Sequence, residues 1–259
     1  MRNVFVLLLC LCTSCTEHQP EAHIESDRIV SMSPGITQTL VDLGLEEKIV
    51  GRSPFCNGID QSVPVIGDYY DVDFERLLSL KPTVVLVQAT QAPKNTHLKE
   101  LADSGLFRLH FWPLDSIDDI KQVYNKASDI FSDSPKKFEM SVSEVPLAER
   151  VLIVTQGTDV SAGLCFGLNT YLDDVIKSMG LENALEREGW TMLSLEDVVN
   201  LKPNRILVVS DTPIKEESIK GIRSLNIPVL LFEHEHVLIP SSQVLNVATA
   251  LQEQWVEVE

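Results

Sequence analysis

One stretch of this chain is written twice. The segment from Val72 to Val87 returns from Leu193 to Val208 at a constant offset. That offset carries Glu75 onto Glu196, Leu80-Lys81-Pro82 onto Leu201-Lys202-Pro203, and Leu86-Val87 onto Leu207-Val208. It also carries Tyr69 onto Trp190 and Phe111 onto Phe232. A repeat of this length exceeds a small solenoid unit. It implies two similar lobes, and two lobes make a cleft. An aromatic and a glutamate stand at matching places in each half, so the cleft and its rim are the places to look for function.

A chain of 259 residues holds two modest domains, each with its own core. The pattern along it alternates strand and helix. In the first half, Arg28 to Met32 reads as a strand, broken by Ser33-Pro34-Gly35. Ile36 to Leu43 has helical spacing closed by Gly44, and Lys48 to Gly51 is strand-like. Val72 to Leu80 reads as a short helix with Asp73 as N-cap, and Val84 to Gln88 as a buried strand. Thr96 to Ser104 is helical and Phe107 to Trp112 a strand.

In the second half, Arg150 to Thr155, Arg205 to Ser210 and Val229 to Phe232 read as strands. Thr170 to Met179, Leu195 to Asn200, Lys215 to Ser224 and Ser241 to Trp255 read as helices. Between the halves, Ile117 to Phe131 is one amphipathic helix. Ser134-Pro135 then suits the start of a second helix to about Val145, stopped by Pro146. This second helix is expected to join the lobes.

The fold class that follows is α/β: two similar lobes, each a mostly parallel sheet flanked by helices, joined by a single short α-helix. The divisions are a signal peptide at 1–15, a tether at 16–27, an N-terminal lobe at 28–116, a helical linker at 117–149 and a C-terminal lobe at 150–259. Ligands of such sheets bind outside the carboxyl ends of the strands. The loops expected there are Ser33 to Gly35, Arg52 to Asn57, Gln88 to Lys94, Gln156 to Phe166, Ser210 to Pro213 and Glu233 to Pro240.

The formal net charge of −17 argues against nucleic acid and anionic membrane surfaces as partners. At the N-terminus, Arg2 precedes an apolar run from Val4 to Cys12, too short for a stable span. Thr13-Ser14-Cys15 and a polar stretch follow, the order of an export signal. Cys15, after two small residues, resembles the modified cysteine of bacterial lipoproteins, although Cys12 stands where that pattern usually has leucine. His18 and His23 fall in the tether. Cys56 and Cys165 fall in opposite halves, in loops expected to face the cleft, and are read as free thiols.

Large aromatics in cleft loops supply stiff apolar area with a polar handle. Tyr69 and Trp190 are ligand candidates on the repeat register, Phe55 beside them. Tyr70 ranks below, because neighbours on an extended segment point opposite ways. Glu75 and Glu196 each fall in the first turn of a short helix, where the helix dipole favours an acid. That favour does not explain why both lobes place an acid at the same position. Glu233-His234-Glu235-His236 puts two histidines on one face if extended, a pair able to reach a metal or a metallated ligand. His97 and His110 lie in the other half, so no third ligand has clear spacing. The Gly157 to Gly167 stretch lacks dinucleotide spacing and reads as a loop whose backbone approaches a ligand. No phosphate-cradling glycine loop, Gly-x-Ser-x-Gly, His-Glu-x-x-His or Cys-x-x-Cys is present.

Several units in order resemble a known family. They are Ser33-Pro34-Gly35 before a helix and Gly44, then Val50-Gly51-Arg52 with Phe55, then Val63-Pro64-Val65-Ile66-Gly67. Asp73-Phe74-Glu75 follows, running into Leu80-Lys81-Pro82. The second half has Gly163 to Asn169, Gly180-Leu181-Glu182-Asn183, Trp190 and Glu196 to Pro203. From about Arg28 to the C-terminus the chain is similar to bacterial substrate-binding proteins of ABC importers for corrinoids, ferric siderophores and haem. The resemblance implies an exported, lipid-anchored, monomeric receptor without catalytic residues or a cofactor of its own. Its cargo would be cobalamin or a ferric chelate, haem among them. Contacts would come from Phe55, Tyr69 and Trp190, from backbone donors at Ser33, Gly35 and Gly163, and from His236. Glu75 and Glu196 would dock on arginines of the permease. The departure is the linker: Pro135 to Val145 as a helix rises only on the order of 15 Å. A metal-ion receptor using His234 and His236, and an exported α/β enzyme, are the alternatives.

Overall fold

The computed structural model describes residues 27–89, 96–146, 148–158 and 160–257. The expectations for Cys15, His18 and His23, and most of the loop following Gln88, lie outside the described residues.

The first lobe contains β1 (Ile29–Ser31), α1 (Pro34–Asp42), β2 (Ile49–Arg52), α2 (Phe74–Ser79), β3 (Val84–Gln88), α3 (Thr96–Asp103) and β4 (Arg108–Trp112). Its strands lie in the order β2-β1-β3-β4, all parallel. After α4 (Ile117–Phe131), the second lobe contains β5 (Arg150–Val154), β6 (Ser161–Phe166), α5 (Tyr171–Ser178), β7 (Glu182–Asn183) and β8 (Trp190–Ser194). It continues with α6 (Leu195–Leu201), β9 (Arg205–Ser210), α7 (Glu216–Arg223), β10 (Val229–Glu233) and α8 (Val244–Glu257). The strands β7, β5, β9 and β10 pair in parallel and repeat the order of the first sheet. Two antiparallel strands, β6 and β8, extend it beyond β5.

The written repeat is also a structural one. Asp73 and Ser194 cap α2 and α6, and Leu77 and Val198 are the fully buried residues of those helices. Lys81 and Lys202 both take left-handed backbone (φ 46° and 51°), each before a proline that disfavours another helical residue. The Arg28 guanidinium donates to the Leu80 carbonyl at 2.7 Å, and Arg150 donates to the Leu201 carbonyl at 3.2 Å. Each arginine thereby ties the end of its helix to the start of the strand that opens its lobe.

One hydrophobic core runs through both lobes. It joins Ile36, Leu40 and Trp112 of the first to Ile153, Val175 and Trp255 of the second, with Ile120, Val123, Ala127 and Phe131 of α4 between them. Separate smaller cores back the outer face of each sheet. The helix α4 is pinned crosswise. Its first N–H, at Ile117, donates to Asp174 of the second lobe at 2.9 Å, and its last carbonyl, at Phe131, accepts Lys48 Nζ of the first at 2.8 Å. A second tie lies at Asp42, whose carboxylate accepts Ser242 Oγ and Gln243 Nε2.

This corrects the expected spine. Residues 135–145 are not helical, and the helix between the lobes is α4 itself. The Ser134-Pro135 signal is overridden because this segment spends its donors on other elements. Lys136 N–H goes to Ser128 Oγ at 2.7 Å, Phe138 N–H to Asn125 Oδ1 at 2.9 Å, and Val145 N–H to the Met179 carbonyl at 2.9 Å. The run Phe138-Glu-Met-Ser-Val142 alternates apolar and polar, the period of extended chain lying on a core.

A second correction concerns the 156–166 stretch, expected as a cleft loop. Most of it is β6, with Ala162 and Cys165 buried. The cysteines consequently do not face the cleft. Cys56 is buried against Thr37 Oγ1, Cys165 is buried in β6, and both are free. Burial pushes the Cys165 thiol up to about 12.

Candidate functional site

A cleft of about 500 Å³ opens at the carboxyl ends of the first lobe's strands. Ser33 follows β1, Gln88 ends β3, and Asp115 follows β4, so all three lie on its floor. Phe55, Tyr69 and Tyr70 wall it on one side, and Trp190 reaches in from the second lobe. Four of the residues singled out from sequence, Ser33, Phe55, Tyr69 and Trp190, thus meet in one place. A larger hollow of about 860 Å³ lies at the opposite ends of β3 and β4, around Thr83 and Arg108. It belongs to one lobe, on the side of a parallel sheet where ligands are not expected.

Each ring has its own support. Arg52, buried at the end of β2, pins the loop carrying Phe55. Its guanidinium donates to the Val63 carbonyl at 3.1 Å and to Gln61 Oε1 at 2.7 Å. Phe55 itself stays 61% exposed. Tyr69 and Tyr70 sit on a turn held by Asp68, whose Oδ1 accepts the N–H groups of Tyr70 and Asp71 at 2.8 and 2.9 Å. Gly67 permits that turn (φ +86°); a Cβ there would lie 2.0 Å from the Asp71 carbonyl oxygen.

Because the segment turns, both tyrosines face the cleft, edge to face at 5.4 Å. The ranking of Tyr70 below Tyr69 is therefore reversed in exposure. Tyr70 is 86% exposed, whereas Tyr69 packs half-buried against Phe111 at 6.5 Å.

Trp190 opens β8, the outermost strand of its sheet, opposite Phe166 of β6, and is 49% exposed. The same face carries Met192, paired across strands with Leu164, and both are exposed. Sequence reasoning missed this apolar face because the region read as a loop. The alternation Trp190-Thr-Met192-Leu-Ser194 was the available signal.

Of the expected contacts, Ser33 is engaged within its own lobe, and Gly35, Gly163 and His236 do not line the cleft. Ser33 is buried at the N-cap of α1, accepting the Ile36 N–H and donating to Gln88 Oε1 at 2.6 Å, so its hydroxyl is already engaged. Gly35 is an interlobe contact: a Cβ there would lie 2.1 Å from the Pro240 carbonyl oxygen. Gly163 (φ +87°) lies in β6 under Thr155 and Gln156.

The expected backbone donors of 163–169 are spent within the lobe. Gly163, Leu164 and Asn169 N–H go to Ser161, Thr155 and Asp173 side chains, and Gly167 and Leu168 N–H to the Gly189 and Arg187 carbonyls. His236 does not line the cleft. Its segment is a turn rather than extended chain: His234 Nδ1 accepts the His236 N–H at 3.2 Å, and the His234 ring stacks on Phe232. Desolvation lowers the His234 pKa, and the neighbouring His236 lowers it further. Among the described residues no group of three or more histidine, cysteine or acidic side chains could hold a metal ion.

Glu75 and Glu196 occupy the same second helical position of α2 and α6, and both are exposed. Neither caps its helix. Asp73 accepts the Arg76 N–H in one, and Ser194 and Asp197 form a capping box in the other. Among the described residues neither glutamate has a hydrogen bond or ion pair. Each follows its lobe's cleft aromatic by six residues in sequence.

A family model described as periplasmic binding protein matches residues 29–193, more than half of the chain. The vitamin B12-binding protein of Yersinia pestis is 23% identical over 254 residues, covering 90% of this chain and 88% of the relative. An uncharacterized ABC transporter substrate-binding lipoprotein of Bacillus subtilis is 24% identical over 224 residues, covering 74% of this chain and 66% of the relative. Among solved structures, a periplasmic haem-binding protein of Vibrio cholerae superposes with a TM-score of 0.69 at 18% identity, over 90% of this chain and 99% of that one. Among the described residues no helix is long and apolar enough to cross a membrane.

Proposed function

Since the chain belongs to the periplasmic binding protein family, a family of substrate-binding receptors rather than enzymes, we propose that it is the receptor of an ABC importer. Its cargo is a corrinoid, with a ferric chelate or haem as the neighbouring class. Cargo lies in the cleft between the lobes, against Phe55, Tyr69 and Tyr70 on one side and Trp190 on the other. The observation carrying this reading is that Trp190, alone of its lobe among the described residues, enters a cleft otherwise built from the first lobe's strand ends and their loops. Flat rings from two sides suit a large planar cargo, for which apolar area supplies affinity and a few polar groups set orientation.

The shared core and crosswise pinning of α4 resist wide hinge motion, so closure over cargo is small. Glu75 and Glu196, one carboxylate per lobe, dock on arginines of the permease and set orientation more than affinity. The receptor is exported and held at the membrane through Cys15, in keeping with the lipoprotein relative. Cys15→Ala would then free it from the membrane fraction.

Equilibrium dialysis against cyanocobalamin, a ferric hydroxamate and haem tests the reading. One chromophore is retained unchanged after desalting, at one equivalent per chain. Retention of none, zinc binding lost in His236→Ala, or recovery of an altered product would overturn it in favour of a metal receptor or an enzyme.

A further inference from the structure

The cleft carries a charge asymmetry that its aromatic walls do not require. Among the described residues lining it are two carboxylates, Asp68 and Asp115, and no lysine, arginine or histidine. Asp68 is committed to its own turn through the Tyr70 and Asp71 N–H groups. Asp115 is not committed. It is half-buried, and among the described residues no hydrogen bond or ion pair satisfies its carboxylate. Desolvation, then the nearby Asp119, raise its pKa, as befits a carboxylate short of a partner.

On the same floor, Gln88 ends β3 paired with Trp112, three residues before Asp115. The Gln88 side-chain Oε1 accepts Ser33 Oγ at 2.6 Å, which orients the amide and leaves its NH₂ without a partner among the described residues. The cleft therefore presents an unsatisfied acceptor and an unsatisfied donor, each of the kind that a primary carboxamide complements. A free carboxylate on the cargo could take the Gln88 amide but would meet Asp115 as a like charge, with no base among the described lining residues to offset it.

We propose that Asp115, with the Gln88 amide, selects cargo whose periphery bears neutral carboxamides and rejects cargo bearing free carboxylates. The inference rests on the receptor reading above and deepens it. It distinguishes an amide-decorated macrocycle from one with acidic side chains, although relatives of this fold are named for both B12 and haem. A site built to hydrogen-bond a particular group rejects an analogue that leaves its buried polar atoms unpaired.

Two matched pairs of probes test it. One is cyanocobalamin and the monocarboxylic acids made by hydrolysing a single peripheral amide. The other is haem and its diamide, both propionates amidated. The wild-type chain is expected to bind the amide member of whichever pair it accepts at least tenfold more tightly, with at least one of the hydrolysis isomers showing that loss. Asp115→Asn, neutral and equal in size, should shrink the ratio to about twofold with an unchanged melting temperature. Equal affinities in the wild type, tighter binding of the acid, or a ratio that survives Asp115→Asn would overturn the proposal while leaving a receptor in place. Binding of none of these probes would overturn both the proposal and the macrocyclic-cargo reading beneath it.

Discussion

Trp190→Ala weakens cargo binding by about 2–3 kcal/mol, the loss usual for a large aromatic anchor, or roughly 30- to 150-fold at 1.4 kcal/mol per decade. The fold stays intact, because the ring lies on the outermost strand and packs into none of the three cores. Equilibrium dialysis reads the affinity and thermal melting reads the fold. Tyr69→Ala serves as the contrast. That ring packs with Phe111 against the first lobe's outer core, so its removal lowers stability as well as affinity. Phe55, held on a pinned loop and exposed, behaves like Trp190. Undiminished affinity in Trp190→Ala would remove the second lobe from the binding site.

The second large effect separates docking from binding. Glu75→Ala combined with Glu196→Ala is expected to leave cargo affinity within about twofold and to reduce stimulation of the permease ATPase to its basal rate. Capping of both helices is handled by Asp73, Ser194 and Asp197, so the substitutions remove two exposed charges and little structure. Each single variant should retain part of the stimulation, with weaker dependence on salt, since rim charges act mainly on encounter. Loss of cargo binding in the double variant would mean that these carboxylates belong to the cleft.

The repeat made the two-lobe plan readable. One offset aligns the two short helices, the Leu-Lys-Pro steps that end them, and the aromatics Tyr69 and Trp190. The 15-residue helix α4 was readable for a related reason: its apolar residues recur at helical spacing over four turns.

What escaped was decided by distant partners. A serine-proline start at 134–135 is a local preference, and Ser128, Asn125 and Met179 outbid it for the same backbone donors. The strand β6 was hidden by Gly163, whose left-handed backbone interrupts the alternation. Facing of the two tyrosines depended on Asp68 bending the chain, a side-chain bond that residue spacing does not reveal. Asp115 and Gln88 had no signature either, because a polar residue in a loop becomes a site only when the sheet edge gathers it with others.

The central claim is that rings from both lobes grip one cargo. Hydroxyl-radical footprinting of the empty and cargo-saturated chain, read residue by residue, tests it directly. The account predicts that Phe55, Tyr70 and Trp190, all exposed in the unoccupied cleft, lose reactivity together and saturate at the same cargo concentration. Protection confined to the rings of one lobe, or to residues around the hollow at Thr83 and Arg108, would contradict it.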